Sequence, residues 1–170
     1  MLKEKIEKAL NEQVNKELFS AYIYQAMGAQ AAHDGFDGIA NWMDAQVQEE
    51  MFHARKIYDY INEQGGKVIL KAIEEPPAKF ESPQAMFEKA LEHEQFITES
   101  INDLVDLAKE ENDHATEIFL QWYVTEQVEE EDNVGTILDK LELIGDQGRG
   151  MYMLDKELAE RSFTPEEDEE

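Results

Sequence analysis

Apolar residues recur at alternating steps of three and four in four segments of the chain, which is the spacing of helices with one buried face. The first two stripes run Ile6, Leu10, Gln13, Glu17, Ala21, Tyr24 and then Ile39, Met43, Gln46, Glu50, His53, Ile57, Tyr60. The other two run Phe87, Ala90, Glu94, Ile97, Ile101, Leu104 and then Phe119, Tyr123, Glu126, Glu130, Val134, Ile137, Leu141. An acid interrupts each stripe where a core residue is expected. A buried, unpaired carboxylate is costly, so four converging ones predict cations between them.

The ends of the stripes predict five helices. The first covers about residues 4–33 and ends at the turn-prone run 33–35. The second begins at Asp37 or Gly38 and reaches about residue 64, where two glycines supply a stop. Ser82 and Pro83 make a good start for the third helix, since a capping hydroxyl precedes a proline at the first helical position.

The third helix is expected to reach about residue 111 and the fourth to run from about 114 to 144. Glycines at 145, 148 and 150 then break the pattern, and residues 151–162 are predicted to form a short fifth helix. We expect one domain over residues 1–162 and a mostly acidic, disordered tail over 163–170.

The connections between the helices predict the topology. Short links make helices 1 and 2, and helices 3 and 4, antiparallel hairpins, whereas the non-periodic stretch 67–81 is long enough to travel the length of a bundle. No strand pattern competes. The prediction is therefore an all-α fold, a four-helix bundle with a long crossover between helices 2 and 3 and a short C-terminal fifth helix.

Composition narrows the class of partner. The formal charge of −25 repels nucleic acid and anionic membranes alike and favours cations. The chain has no cysteine, which excludes disulfides, thiolate metal sites and thiol catalysis. Its first residues enter a charged amphipathic pattern without the apolar run of a signal peptide or membrane span, so we expect a soluble cytoplasmic protein.

One layout of metal-type side chains occurs twice, with separations of 33 and 3 positions and an offset of 77 residues between the copies. The two triplets are Glu17, Glu50, His53 and Glu94, Gln127, Glu130. An i, i+3 pair lies on one helix face. Four-helix bundles that hold two metal ions take a Glu from each of two helices and Glu-x-x-His from the other two. The second triplet departs from that pattern at both positions of its i, i+3 unit.

Charge counting favours a pair of redox metal ions. Two Fe(II) ions bring four positive charges, which are balanced by Glu17, Glu50, Glu94 and Glu130, and one bridging oxide would cancel the two charges that oxidation adds. Carboxylates with a single imidazole suit iron or manganese better than copper, although zinc would also bind. Because carboxyls in a dry bundle would otherwise be protonated, iron binding should release protons.

Further candidates lie beside these triplets. Glu49, Glu126 and Glu129 are either a third metal site or ordinary solvated acids, and spacing alone leaves both readings open. Tyr24 shares a face with Glu17. Its phenol would have a functional role, as a hydrogen-bond donor to a ligand or as an electron donor, or it would only pack in the core.

The chain resembles the bacterial non-haem ferritins over nearly its whole length. The strings that carry the resemblance are Glu-Leu-Phe-Ser-Ala-Tyr-Ile-Tyr at 17–24, Gln-Glu-Glu-Met-Phe-His-Ala at 48–54, His-Glu at 93–94 and Gln-Trp-Tyr-Val-Thr-Glu-Gln-Val-Glu-Glu-Glu at 121–131. The resemblance implies a ferroxidase, in which O2 or hydrogen peroxide oxidises paired Fe(II) and the ferric product mineralises inside a cage. That cage would be a homo-oligomer of about twenty-four chains, with the fifth helix at its four-fold axis.

The resemblance also implies residue roles. The residues around the first iron and its partner would be Glu17, Glu50, His53, Glu94 and Gln127, with Glu130 on the second iron. The third-iron positions would be Glu49, Glu126 and Glu129, and Tyr24 matches the family's tyrosine.

Three other functions are alternatives to a non-haem ferritin. Met51 stands where bacterioferritins bind haem between two chains. A di-iron oxidase or peroxidase would keep its metals as a permanent cofactor, but such enzymes would want a symmetrical second Glu-x-x-His. A structural bundle or DNA-protecting shell conflicts with the stripe acids and the charge. We expect neutral Gln127 to weaken one iron position, so that iron is substrate rather than cofactor.

Overall fold

The structure, a computed structural model, describes residues 2–145 and 147–165. The described chain is all-α and has no strand, as predicted. Its elements are α1 (Glu4–Asp34), α2 (Asp37–Glu63), α3 (Pro83–Glu110), α4 (His114–Ile144) and α5 (Gly148–Leu158). None of these helices is both long enough and apolar enough to cross a membrane.

The helix ends carry the signals that predicted them. Gly35 ends α1 in the left-handed region, with φ 85°. The Ser82 hydroxyl accepts a hydrogen bond from the Ala85 N–H at 3.1 Å, and Asp113 caps α4 by accepting from Thr116 N–H at 3.2 Å.

Side chains of α1 hold the crossover between α2 and α3 against the bundle. Near its beginning, Asn11 donates to the Lys67 carbonyl at 3.0 Å and accepts from the Ile69 N–H at 2.6 Å. Near its end, Gln30 pairs in the same two-way manner with the backbone of Phe80, at 2.6 and 2.7 Å. At about 1.5 Å per residue, Asn11 and Gln30 lie roughly 28 Å apart along α1. The crossover therefore spans most of the bundle, and α3 runs antiparallel to α1.

Two separate apolar clusters fill the two ends of the bundle. One joins the end of α1 to the beginning of α2 and α3, the end of α4 and helix α5, around Met27, Trp42 and Phe87. The other joins the beginning of α1 to the end of α2 and α3 and the start of α4, around Leu10 and Ile57. Between these clusters the stripe acids form a buried polar layer.

The predicted stripes of α1, α2 and α3 are buried throughout. The prediction for α4 was wrong in its first half, because the buried positions pass through Leu120 and Gln127, whereas Phe119 and Glu126 are only half-buried. Burial along α4 begins at Thr116 and follows alternating steps of four and three, so Tyr123 is buried as predicted, whereas the positions before and after it lie one residue later than predicted.

The boundaries of the fifth helix were also predicted wrongly, since α5 begins at Gly148 and ends before Ser162. Gly150 does not break the helix: it allows close packing, because a Cβ there would lie 2.8 Å from the Ile144 side chain. Gly38 serves the same purpose on α2, where a Cβ would collide with the Asp155 carbonyl. Asp155 in turn accepts from the Ile39 N–H at 2.9 Å and so ties α5 to the start of α2.

Residues 159–165, which we call the C-terminal strap, fold back along α2 after α5. The Phe163 ring lies 5.9 Å from the Phe52 ring, so the packed part of the chain reaches into the segment expected to begin the acidic tail. Residues 166–170 of that predicted tail lie outside the described residues.

Candidate metal centre

The first hairpin brings its triplet together in the polar layer. Glu17 of α1 and Glu50 and His53 of α2 place one ligand atom each within 4.8 Å of one another. We call these three residues the inner group. Each is at most 2% exposed, because one turn of α2 carries two of them on its buried face and α1 packs directly against it.

The second hairpin arranges its triplet differently. The Gln127 amide donates to Glu94 Oε2 at 3.2 Å, and the Tyr24 hydroxyl donates to Glu94 Oε1 at 2.5 Å. Both oxygens of Glu94 are therefore engaged by neutral donors. Among the described residues, Glu94 does not belong to either cluster of converging ligand atoms.

Glu130, the last member of the second triplet, belongs to another cluster. Its carboxylate lies within 4.8 Å of ligand atoms from Glu49, His53 and Glu126, and we call these four residues the outer group. His53 connects the two groups, with Nδ1 3.5 Å from Glu50 and Nε2 3.7 Å from Glu126. Glu49 and Glu126 are half-buried, so the outer group opens toward solvent while the inner group does not.

Glu129 was predicted with the outer acids but is exposed and belongs to neither described group. It lines a cavity of about 270 Å³ together with Glu49, Glu126 and the strap. Met51, the candidate haem residue, is 48% exposed on the outside of α2.

Three buried glutamines donate to the core carboxylates. Besides Gln127, Gln13 donates to Glu17 Oε1 and Gln46 to Glu130 Oε2, both at 2.8 Å. The Ser100 hydroxyl donates to Gln13 Oε1 at 2.5 Å, which directs the amide of Gln13 toward Glu17. We did not predict roles for Gln13 and Gln46, although a polar residue on an apolar stripe was the available signal.

Two carboxylate oxygens of the inner group are left without partners. Glu17 Oε2 and Glu50 Oε1 are buried and make no hydrogen bond. Buried polar atoms are normally satisfied, so such oxygens indicate a missing partner that accepts lone pairs. Two carboxylates and an imidazole are a donor set that suits Fe(II), Mn(II) or Zn(II), so the residues present fit a divalent metal ion.

In the absence of a cation, burial favours the protonated form of the core acids. It raises the pKa of Glu17, and burial together with the charge of Glu94 raises the pKa of Glu50 well above its ordinary value. Burial likewise raises the pKa of Glu94 to about 7, and burial with the Glu94 charge raises that of Glu130 to about 8. A bound cation would reverse this effect by favouring the ionised forms.

Burial acts on the pKa of the His53 imidazole in the opposite direction, but the neighbouring acids outweigh it. Burial alone would lower its pKa, but hydrogen bonding to Glu126 and Glu50 raises the pKa well above the ordinary value. The Tyr123 hydroxyl donates to the His53 carbonyl at 2.8 Å and helps to fix this turn of α2. Burial and the Glu94 charge raise the pKa of Tyr24, so its phenol stays a hydrogen-bond donor.

One contact at the outer group could not be predicted from the sequence. Arg161 of the strap donates from Nη2 to Glu49 Oε2 at 2.5 Å, across 112 residues of sequence. Nothing in the local pattern around Arg161 predicts this contact, because it depends on how the strap folds back after α5.

Comparison with known proteins supplies the family. Residues 7–144 match the Ferritin family, described as a ferritin-like domain. A bacterial non-heme ferritin of Staphylococcus epidermidis is 44% identical over 163 residues, covering 96% of this chain and 98% of that protein. One from Escherichia coli is 42% identical over 159 residues, covering 94% and 96%.

A solved structure agrees with these relatives. The open pore ferritin of the hyperthermophilic archaeon Archaeoglobus fulgidus superposes with a TM-score of 0.94 at 48% identity, covering 95% of this chain and all of that one. The match extends over the four bundle helices, the crossover and α5. The chain therefore belongs to the ferritin family, alongside the bacterial non-haem ferritins.

Proposed function

We propose that this chain stores iron and is a ferroxidase, which oxidises Fe(II) at the inner and outer groups and mineralises the ferric product inside a cage of about twenty-four copies. The observation that carries the proposal is the pair of buried, unpartnered carboxylate oxygens on Glu17 and Glu50, whose side chains converge with His53. Membership of the ferritin family supports iron as the metal.

In the reaction that we propose, Fe(II) is the substrate. Two Fe(II) ions each lose one electron, and O2 takes up both electrons with two protons to leave as hydrogen peroxide. The inner group would hold one ion through Glu17, Glu50 and His53. Glu94 and Gln127 border that position, and Glu130 would serve the second ion.

The raised pKa values of the core carboxyls support an exchange of protons for iron in this scheme. Because the pKa values of Glu94 and Glu130 are raised to about 7 and about 8, these carboxyls would release protons as Fe(II) enters. The protons that leave would partly offset the charge of each incoming ion, so the net charge of the core would change by less than the charge of the ion. The amide of Gln127 brings no negative charge, which would leave the iron exchangeable.

The test is aerobic addition of Fe(II) to the purified protein, with O2 uptake, ferric absorbance and sedimentation followed together. We expect rapid O2 uptake and a large, iron-loaded particle. Rapid oxidation without a loaded particle would favour an oxidase that keeps its iron over a storage protein. Oxidation no faster than in buffer would contradict the proposal.

A further inference from the structure

The ion pair between Arg161 and Glu49 is largely shielded from water. The two side chains are 19% and 16% exposed, and the Arg161 guanidinium also lies over the Trp42 ring, with 4.3 Å from Cζ to the ring centroid. Exposed ion pairs contribute little, but partly buried pairs are screened far less by salt. The guanidinium therefore places a persistent positive charge beside the Glu49 carboxylate.

The strap that carries Arg161 is anchored to α2 through its backbone. The Asn41 amide donates to the carbonyls of Leu158 and Ala159, each at 3.3 Å, and to that of Arg161 at 2.9 Å. The ring contact between Phe163 and Phe52 holds the strap on the other side of Arg161. The backbone of the strap is thus held on both sides of Arg161, while its side chain remains able to rotate.

Glu49 is also a member of the outer group, whose ligand atoms lie within 4.8 Å of one another. A metal ion bound there would meet the carboxylate that Arg161 already engages. A metal ion and a guanidinium that share one carboxylate in a partly dry site repel each other strongly. An ion can therefore use Glu49 fully only if the guanidinium moves away.

The surroundings provide a place for the displaced side chain. Arg161, Glu129 and Asn133 all line a cavity of about 270 Å³, and Arg161 Nη1 is buried without a hydrogen-bond partner. Rotation toward the cavity would give the guanidinium a new carboxylate in Glu129. Glu129, which belongs to neither described group, would then have a role as the second partner of the guanidinium.

We propose that Arg161 is the resident counter-cation of the outer group and that a metal ion must displace it in order to bind there. This inference rests on the proposed function, because it takes the outer group as a metal position. Arg161 then sets the order of filling, inner group first and outer group last. It also excludes weakly bound monovalent cations, which cannot compete with a hydrogen-bonded guanidinium.

The test is calorimetric titration of the whole protein with Zn(II), which does not react with O2 and so separates binding from oxidation. The binding step lost in Glu50→Gln reports the inner group, and the step lost in Glu49→Gln reports the outer group. In Arg161→Gln we expect the outer step to become about tenfold tighter, the size of one charge-assisted hydrogen bond, with the inner step unchanged. Arg161→Lys, which keeps the charge but loses the planar fork, should lie between the two.

Two variants control this test. Arg55→Gln removes one positive charge from an exposed pair with Asp59 and should leave the outer step as it is in the wild type. Asn41→Ala keeps Arg161 but releases the backbone of the strap, so the outer step should tighten in the same direction as in Arg161→Gln. If Arg55→Gln tightened the outer step equally, net charge would be the cause and the inference would be overturned.

Tryptophan fluorescence gives a second readout that does not depend on affinity. In a Trp122→Phe background, Trp42 is the remaining tryptophan and lies under the guanidinium. We expect its emission to change as the outer step fills in the chain with Arg161, and not in the chain with Arg161→Gln. An identical response in both chains would contradict displacement.

The outcomes separate the two proposals. If the Glu50-dependent step is absent from the wild type, the proposed function fails. If that step is present but the outer step is no tighter in Arg161→Gln, or never appears in it, the proposed function stands and the inference about Arg161 is overturned.

Discussion

The two helical hairpins carry triplets at identical spacing, yet they use them in different ways. In the first hairpin, Glu17, Glu50 and His53 converge and leave two oxygens without partners. In the second, Gln127 and Tyr24 satisfy both oxygens of Glu94, and Glu130 joins the outer group instead. Equal spacing therefore fixes where side chains lie, whereas their hydrogen-bond partners decide which of them remain available to an ion. Under the proposed function, we expect the first hairpin to bind an ion more tightly than the second.

Loss of a first-hairpin ligand should have the largest effect. We expect Glu50→Gln to slow the initial oxidation of Fe(II) by more than about a hundredfold, because the inner group loses a charged ligand. Stopped-flow ferric absorbance measures this rate. Glu63→Gln removes an exposed acid from the same helix and should change nothing. If the rate in Glu50→Gln matched that of this control, the inner group would not be the oxidation site.

Glu94 and Glu130 of the second hairpin should contribute to the pH dependence of the stability of the metal-free protein, in addition to Glu17 and Glu50 of the first. The folded chain keeps protons on Glu94 and Glu130 up to pH about 7 and about 8, while ordinary carboxyls lose theirs near 4.5. The folded state thus binds more protons than the unfolded state in this window, and the free energy of unfolding falls as pH rises through it, by a few kcal/mol. We expect the Tm of chelator-treated protein to fall between pH 5 and pH 8.

The matched variant removes those two titrations. The double change Glu94→Gln and Glu130→Gln should make the fall in Tm smaller, while surface repulsion continues to act equally in both proteins. Restoring a divalent metal to the wild type should raise Tm most at pH 8, where the carboxyls ionise at the smallest cost. A double variant with the same slope as the wild type would show that these acids do not titrate as described.

Changing the neutral member of the second triplet would make the hairpins more alike. Gln127→Glu adds a negative charge beside Glu94, so we expect iron to be retained through chelation and desalting and turnover to fall about tenfold. Iron content after desalting and multiple-turnover oxidation measure the two effects. Gln121→Glu, an exposed position on the same helix, is the control. Unchanged turnover in Gln127→Glu would refute the idea that this residue makes iron a substrate.

The smallest expected effect comes from a donor that orients a first-hairpin ligand. Gln13→Leu removes the 2.8 Å hydrogen bond to Glu17 but leaves every proposed ligand in place. We expect the affinity of the inner group for Zn(II) to fall by roughly tenfold, the lower end of the effect of residues that orient a metal ligand. Gln48→Leu, on an exposed face of α2, is the comparison. An affinity equal to that of Gln48→Leu would mean that Gln13 only packs.

The features that could be predicted from the sequence are those with helical periodicity. The four long helices, the crossover and the burial of Glu17, Glu50, Glu94 and Glu130 follow from stripes and caps, since a helix carries its neighbours at fixed angles. Two positions of the α4 stripe, Phe119 and Glu126, were placed one residue too early, because residues of the same kind, Phe119 and Leu120 or Glu126 and Gln127, stand side by side there.

The remaining features depend on contacts that periodicity does not encode. Whether Glu94 faces an ion or a glutamine depends on the rotamers of residues from three helices. The contact of Arg161 with Glu49 depends on the path of the strap after α5, and Gly150, which suggested a helix break, instead allows α5 to pack closely against Ile144. These are tertiary effects, and a single sequence gives no spacing rule for them.

The central claim is that buried carboxylates of the first hairpin bind iron. Crystals grown without metal and soaked with Fe(II) under anaerobic conditions would test it, with diffraction data collected on both sides of the iron absorption edge. We predict an anomalous peak between Glu17, Glu50 and His53, within about 2.0 to 2.3 Å of their ligand atoms. Iron found only on surface acids, with that position empty at saturating Fe(II), would contradict the account.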